Sequence, residues 1–187
     1  QLAWYLKEEK KVKENDVVGI KLDRSFELMI SIIACLKCRL TYVPIDKSDT
    51  TSRVEYILKE SGMICLITDE SSINTVDISK LDLNKFSKKN LSEKYDAYDS
   101  VYIMYTSGTT GNPKGVVVYN RNIVRLVKGQ NFVSIDENDR LLQTGSPSFD
   151  ATTFEYWITL LNGLSLYLIR KEKLLDFTYL KKYINEN

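Results

Sequence analysis

Histidine is absent from the 187 residues. That absence excludes Ser-His-Asp and Cys-His nucleophilic chemistry, and any histidine-ligated metal, within this stretch. A dominant charge is missing too: 26 Lys and Arg stand against 25 Asp and Glu, for a net charge of +1. Such a balance gives no argument for nucleic acid or a membrane surface as a partner. No apolar run reaches about eighteen residues, so no membrane-spanning helix is expected. No signal peptide is visible, the start at Gln1-Leu2 reads as trimmed, and a cytoplasmic location is expected. What is present is apolar content of 43%, enough at this length for one buried core and too much for a disordered chain.

Cysteine is also scarce. Two of the three residues form a Cys35-x-x-Cys38 pair. A redox pair of this spacing needs a lowered thiol pKa, usually from a helix N-terminus. These two fall near the C-terminal end of an expected helix, where the dipole has the opposite sense. A zinc site would need more ligands than Cys65 can add. All three are expected to be reduced, buried and hydrophobic in character.

Apolar strands alternate with amphipathic helices along the chain. Residues 17–22, 42–45, 65–68 and 101–105 read as strands, and 2–10, 26–36 and 51–60 as helices, with Ser25 a plausible N-cap. Phe26, Met29, Ile30, Ile33 and Leu36 recur at helical spacing, which supports the second helix. Further on, strand 115–119, helix 121–129, strand 140–144, helix 151–162, strand 164–169 and a helix from Phe177 follow. The pattern predicts an α/β fold with a mostly parallel sheet flanked by helices. Residues 69–99 interrupt it. They are rich in Ser, Asn, Asp and Lys, and predict an exposed, variable surface segment holding a short strand.

One stretch carries an unusual density of chemistry: Tyr105-Thr106-Ser107-Gly108-Thr109-Thr110-Gly111-Asn112-Pro113-Lys114-Gly115. Glycines let backbone N–H groups approach an anion, the hydroxyls add donors, and Lys114 adds a positive charge. Two readings stand on these residues alone, a phosphate-binding loop and a surface turn. The spacing fits neither G-x-x-x-x-G-K-[ST] nor G-x-G-x-x-G. A second candidate is Asp150, which opens a helix and shares a stripe with Phe154, Trp157 and Leu161. On local chemistry it reads as a cap or first-turn carboxylate that shares a helical face with aromatic residues expected to be buried.

The segment 105–116 resembles the phosphate-loop signature of adenylate-forming enzymes. Leu36-Lys37 with Tyr42-Val43-Pro44-Ile45-Asp46 is similar to the second core motif of the adenylation domains of nonribosomal peptide synthetases. Phe149-Asp150-Ala151-Thr152-Thr153-Phe154-Glu155 with Leu160-Leu161-Asn162-Gly163 is similar to their fourth. The resemblance covers essentially the whole chain. It implies part of the large N-terminal subdomain of such an enzyme, residues 1–187 forming a single portion of an AMP-binding adenylation domain. The implied ligase uses ATP with Mg²⁺ to convert an amino acid into an aminoacyl-adenylate, then passes the acyl group to the phosphopantetheine thiol of a partner carrier protein. Neither nucleic acid nor membrane enters this scheme.

By the same resemblance Thr106, Ser107, Gly108, Thr109, Thr110, Gly111 and Lys114 would hold the ATP phosphates. Asp150 would bind the substrate's α-ammonium group, with Ala151 and Phe154 lining the side-chain pocket. No metal ligand and no catalytic group is assigned within the chain, and Glu155 is given nothing beyond packing or a surface salt bridge. The adenine and ribose motifs and the lysine-bearing lid would lie beyond Asn187, so the stretch alone is expected to be inactive. Cys38-Arg39 replaces a usual Ala-Gly pair, which suggests a changed turn, and Tyr119-Asn120 stands where the family usually ends in histidine. A D-alanine–carrier-protein ligase, an acyl-CoA synthetase or a degenerate non-catalytic half-domain are the alternatives.

Overall fold

The computed structural model describes residues 1–72, 74–106 and 112–187. In chain order the elements are α1 (Leu2–Glu8), β1 (Val17–Lys21), α2 (Phe26–Lys37), β2 (Thr41–Pro44), α3 (Thr51–Ser61), β3 (Cys65–Thr68), β4 (Thr75–Asp77), β5 (Ser100–Thr106) and β6 (Lys114–Tyr119). There follow α4 (Asn120–Val127), β7 (Arg140–Leu142), α5 (Ala151–Asn162), β8 (Ser165–Tyr167), α6 (Lys171–Leu174) and α7 (Phe177–Glu186).

Strands with apolar side chains on both faces suit the middle of a sheet covered by helices. Here β1, β2 and β3 carry almost only buried residues, and β1 lies between the other two. The strand order is β4-β3-β1-β2-β5-β6. Every pairing is parallel except β5 with β6, which is antiparallel. A separate parallel pair, β7 with β8, stands beside it. The expected mostly parallel α/β architecture is what the chain adopts.

Because β1, β2 and β5 run the same way, the loops that follow them emerge on one edge. Residues 22–25, residues 45–50 and Thr106 at the end of β5 therefore share the carboxyl edge of the sheet, the usual ligand edge of open α/β sheets. Leu6, Ile20, Leu28, Ile32 and Leu40, each at most 1% exposed, form the centre of the core, and each such side chain contributes about 1.5–3 kcal/mol by burial.

Two local expectations hold. Ser25 caps α2, its Oγ accepting from Leu28 N at 3.2 Å. The three thiols are free and buried; burial pushes Cys35 well up and Cys38 to about 11. The buried face of α2 is Leu28, Met29, Ile32 and Cys35, while Phe26 is 75% exposed and Ile30 45%. This helix is apolar nearly all round, so spacing alone cannot choose its inner face.

Arg39 takes the left-handed φ of 56° for which glycine is the usual residue after a helix. Its guanidinium donates to both Asp99 oxygens, at 3.1 and 2.8 Å, and to Glu14 at 2.6 Å.

The 69–99 segment holds the short strand β4. It is also tied to the helices it crosses. Gln1 donates to Leu83 O at 2.7 Å, Trp4 Nε1 to Lys89 O at 2.7 Å, and Lys7 pairs with Glu93 at 2.6 Å. No helix among the described residues is long and apolar enough to cross a membrane.

Candidate functional site at the carboxyl edge

β5 is a seven-residue strand whose only exposed residue is Thr106. It delivers the chain to the carboxyl edge and leaves it there. Thr106 and Lys114 are ladder partners, so the first and last residues of the expected phosphate loop stand side by side. Lys114 is exposed and has no ion-pair partner among the described residues. Ser107, Gly108, Thr109, Thr110 and Gly111 lie outside the described residues. The end of β5 is fixed from two directions. Arg53, paired with Asp49 at 3.0 Å, donates to Tyr105 O at 3.2 Å, and the Tyr105 hydroxyl donates to Glu60. Gly115 has no room for a side chain, since an added Cβ would meet Ile103 Cγ2 at 2.7 Å.

Asp150 sits at the start of α5 with helical φ and ψ (−61°, −29°) and makes no side-chain cap. Among the described residues its carboxylate has neither a hydrogen bond nor an ion pair. The capping role that local chemistry offers is thus not taken up. Asp150 and Ala151 are exposed and Phe154 is half-buried. The inner face of α5 is Thr152, Thr153, Tyr156 and Trp157, and Leu161 is 39% exposed. The Asp150 stripe therefore borders the buried face instead of facing a fully buried wall.

The two candidate regions communicate. Tyr102, on β5, forms a 2.6 Å hydroxyl pair with Thr153 in the first turn of α5. Burial raises the Tyr102 hydroxyl, the Thr153 hydrogen bond opposes the rise, and the nearby Asp150 charge adds to it.

Several residues at this edge had no assigned role. Glu155 accepts from Thr144 N (3.0 Å), Thr144 Oγ1 (2.7 Å) and Gly145 N (3.2 and 3.3 Å). It is a loop anchor, and among the described residues it forms no salt bridge. Arg24, just after β1, donates to Gly145 O at 2.9 Å and Thr144 O at 2.8 Å. Ser146 donates to Asp46 at 2.5 Å. Burial would raise the Asp46 carboxyl, but hydrogen bonds from Ser146 and Ser48 and the charge of Lys171 outweigh it and hold it below its ordinary value. Arg24, Asp46, Lys47, Ser146 and Arg170 line a cleft of about 650 Å³ here. Phe132 packs on Phe154, ring centroids 5.6 Å apart. The sequence signals were thin: a charged residue in the short loop after a buried strand for Arg24, and an acid inside an otherwise uncharged helix for Glu155.

A mostly parallel sheet of this order, with a helix opening on an exposed carboxylate, matches part of the large N-terminal subdomain of adenylate-forming enzymes. The family model described as AMP-binding enzyme matches residues 1–187, and the chain belongs to that family. Gramicidin S synthase 2 of Brevibacillus brevis is 39% identical over 194 residues, covering 100% of this chain and 4% of that protein. Bacitracin synthase 1 of Bacillus licheniformis is 41% identical over 183 residues, covering 95% and 4%. The chain thus spans about 4% of the length of these relatives.

Among solved structures, the NpsA N-terminal subdomain of Klebsiella oxytoca in complex with anthranilyl-AMSN superposes with a TM-score of 0.85 at 28% identity, over 97% of this chain and 48% of that one. The artificially fused adenylation–PCP di-domain NpsA-ThdA, a nonribosomal peptide synthetase from the same organism, gives 0.84 at 28% identity, over 97% and 38%. The likeness is to the N-terminal part of a peptide-synthetase adenylation domain.

Proposed function

We propose that the chain is the phosphate- and amine-binding part of an amino-acid-activating ligase. An amino acid carboxylate oxygen attacks the α-phosphate of ATP, pyrophosphate leaves, and the aminoacyl-adenylate passes its acyl group to the phosphopantetheine thiol of a carrier protein. Thr106, Ser107, Gly108, Thr109, Thr110, Gly111 and Lys114 bind the β- and γ-phosphates. Their contribution is positioning and charge stabilisation of a transferring group. Asp150 binds the α-ammonium group, and Ala151 and Phe154 begin the side-chain pocket. A small residue beside an aromatic one suits a medium or large apolar side chain. Among the described residues no group of three or more His, Cys, Asp or Glu could hold a metal ion. A Mg²⁺ ion would accompany the nucleotide's phosphates, and no step here is routed through it.

The observation that carries this reading is Asp150. Its carboxylate leads a helix, does not cap it, and is left for an external cation. The names of the peptide-synthetase relatives support the same direction. The test is pyrophosphate exchange into ATP by the full-length protein, across L-amino acids, D-alanine, aryl acids and fatty acids. Wild-type exchange should depend on one or a few L-amino acids. Asp150→Ala should abolish it while ATP binding persists. Unchanged exchange by the variant would refute the role of Asp150. Exchange driven only by D-alanine would move the protein to the D-alanine ligases, and exchange driven only by acids lacking an α-ammonium group would overturn the amino acid reading.

A further inference from the structure

The segment between β7 and α5, residues 143–150, is the only chain that leads into Asp150 from the N-terminal side. Its first residue, Gln143, is fully buried, held by its backbone N–H to Tyr167 O at 2.8 Å and by its side-chain amide to the Tyr156 hydroxyl. The next two residues are gripped on both polar edges. Both backbone N–H groups point to the Glu155 carboxylate, and both carbonyls accept from the Arg24 guanidinium, all within 2.8–3.3 Å. A charged acceptor on one edge and a charged donor on the other give the stronger class of hydrogen bond throughout. Gly145 closes the grip, because an added Cβ would meet Thr152 Cγ2 at 2.7 Å. From there Phe149 N donates to Ser146 O at 2.9 Å and Thr152 N to Phe149 O at 3.1 Å, so the path from Gly145 to Asp150 is a short series of fixed turns.

We propose that Arg24 and Glu155 are positioning residues for amino acid binding: a two-sided clamp on the Thr144–Gly145 backbone that sets where the Asp150 carboxylate meets the substrate ammonium group. Neither side chain touches substrate in this scheme. Arg24 anchors the clamp to the central strand of the sheet, and Glu155 anchors it to the helix that Asp150 begins. The inference rests on the adenylation reading above and adds to it the device that aims its key carboxylate. A displacement of order 1 Å at a positioned group can cost about a hundredfold, so losing one jaw should be visible in binding of the amine and not of ATP.

The experiment is pyrophosphate exchange by the full-length protein, with KM measured separately for the amino acid and for ATP. Glu155→Ala and Arg24→Ala should each raise the amino acid KM roughly tenfold or more, with the ATP KM within about twofold even though both variants melt at a lower temperature. Glu155→Gln should be partly rescued, since one oxygen can still accept from Thr144 and Gly145. The double variant should be no worse than the poorer single one, because both act on one peptide segment. If the alanine variants fail to fold, Glu155→Gln and Arg24→Lys carry the same KM comparison. Unchanged amino acid KM in active variants overturns the clamp alone, as do amino acid and ATP KM rising in parallel. A wild-type protein with no amino-acid-dependent exchange overturns the adenylation reading and the clamp with it.

Discussion

Replacing Thr153 by valine would keep the shape of the side chain and remove a single hydroxyl. The cost can be worked from the surroundings. Tyr102 is 3% exposed and Thr153 7%, and their hydroxyls are 2.6 Å apart. Without Thr153 Oγ1 the Tyr102 hydroxyl is left buried and unpaired, which costs about 1–3 kcal/mol. Tyr102→Phe should cost less, because the remaining Thr153 hydroxyl can turn to a carbonyl of its own helix. The double variant Tyr102→Phe with Thr153→Val removes both polar atoms and should be nearly neutral, so the two changes are strongly non-additive. A loss of about 2 kcal/mol corresponds to a melting shift of about 4–8 °C at this chain length. Thermal unfolding followed by tryptophan fluorescence suits the purpose, since Trp157 lies one turn along α5 and is buried. A Thr153→Val variant as stable as wild type would refute the reasoning, and so would a double variant that loses the sum of both singles.

Further expectations concern the rest of the frame. Arg39→Ala should be less stable than Arg39→Gly by about 1 kcal/mol, since both lose the ion pairs to Asp99 and Glu14 but only alanine keeps a Cβ at φ 56°; equal urea midpoints would contradict this. Gly145→Ala should cost about 1–3 kcal/mol by overpacking against Thr152, read as a lowered melting temperature, and an unshifted one would count against the close approach.

Acid should destabilise the protein in a defined window. Hydrogen bonds from Ser71 and Ser79 hold Asp77 at about 2, and the Arg39 guanidinium holds Asp99 below its ordinary value. Bonds from Asn138 do the same for Asp136. Since the folded values lie below the unfolded ones of about 3.9, their stabilisation is complete above that pH and is lost as pH falls through the folded values. Urea midpoints measured from pH 6 to pH 2 should hold to about pH 4 and then fall; a midpoint flat to pH 2 would refute the assignment.

Much of the frame was legible from periodicity. Strands β1, β2, β3 and β5 lie within a residue or so of their apolar runs, because short runs bounded by polar residues have few other ways to be buried. Periodicity is silent on the inner face where a helix is apolar on more than one side. In α2 the stripe Phe26, Ile30, Ile33 competes with Leu28, Ile32, Cys35, and only packing against the sheet decides between them. The left-handed turn at Arg39 was hidden for a different reason: an ion-paired arginine supports a conformation that composition assigns to glycine. Asp150 was legible as a position but not in its surroundings. That it fails to cap α5 depends on the helical dihedrals at the residue itself. Glu155 and Arg24 are 131 residues apart in sequence, and their shared hold on Thr144 and Gly145 comes from topology, which brings the loop after β1 to the start of α5.

The three buried thiols carry a practical consequence. Cys35 lies in α2, Cys38 caps it and donates to Ala3 O at 3.3 Å, and Cys65 opens β3. A thiol reagent in solution meets none of them while the fold is closed. Their rates of modification therefore become three clocks for local opening, one inside the helix, one at its junction with α1 and one on the neighbouring strand. The same shielding makes the native surface of the described residues blank to maleimide chemistry. A cysteine introduced at an exposed position of this stretch could then carry a fluorophore without removing any of these three.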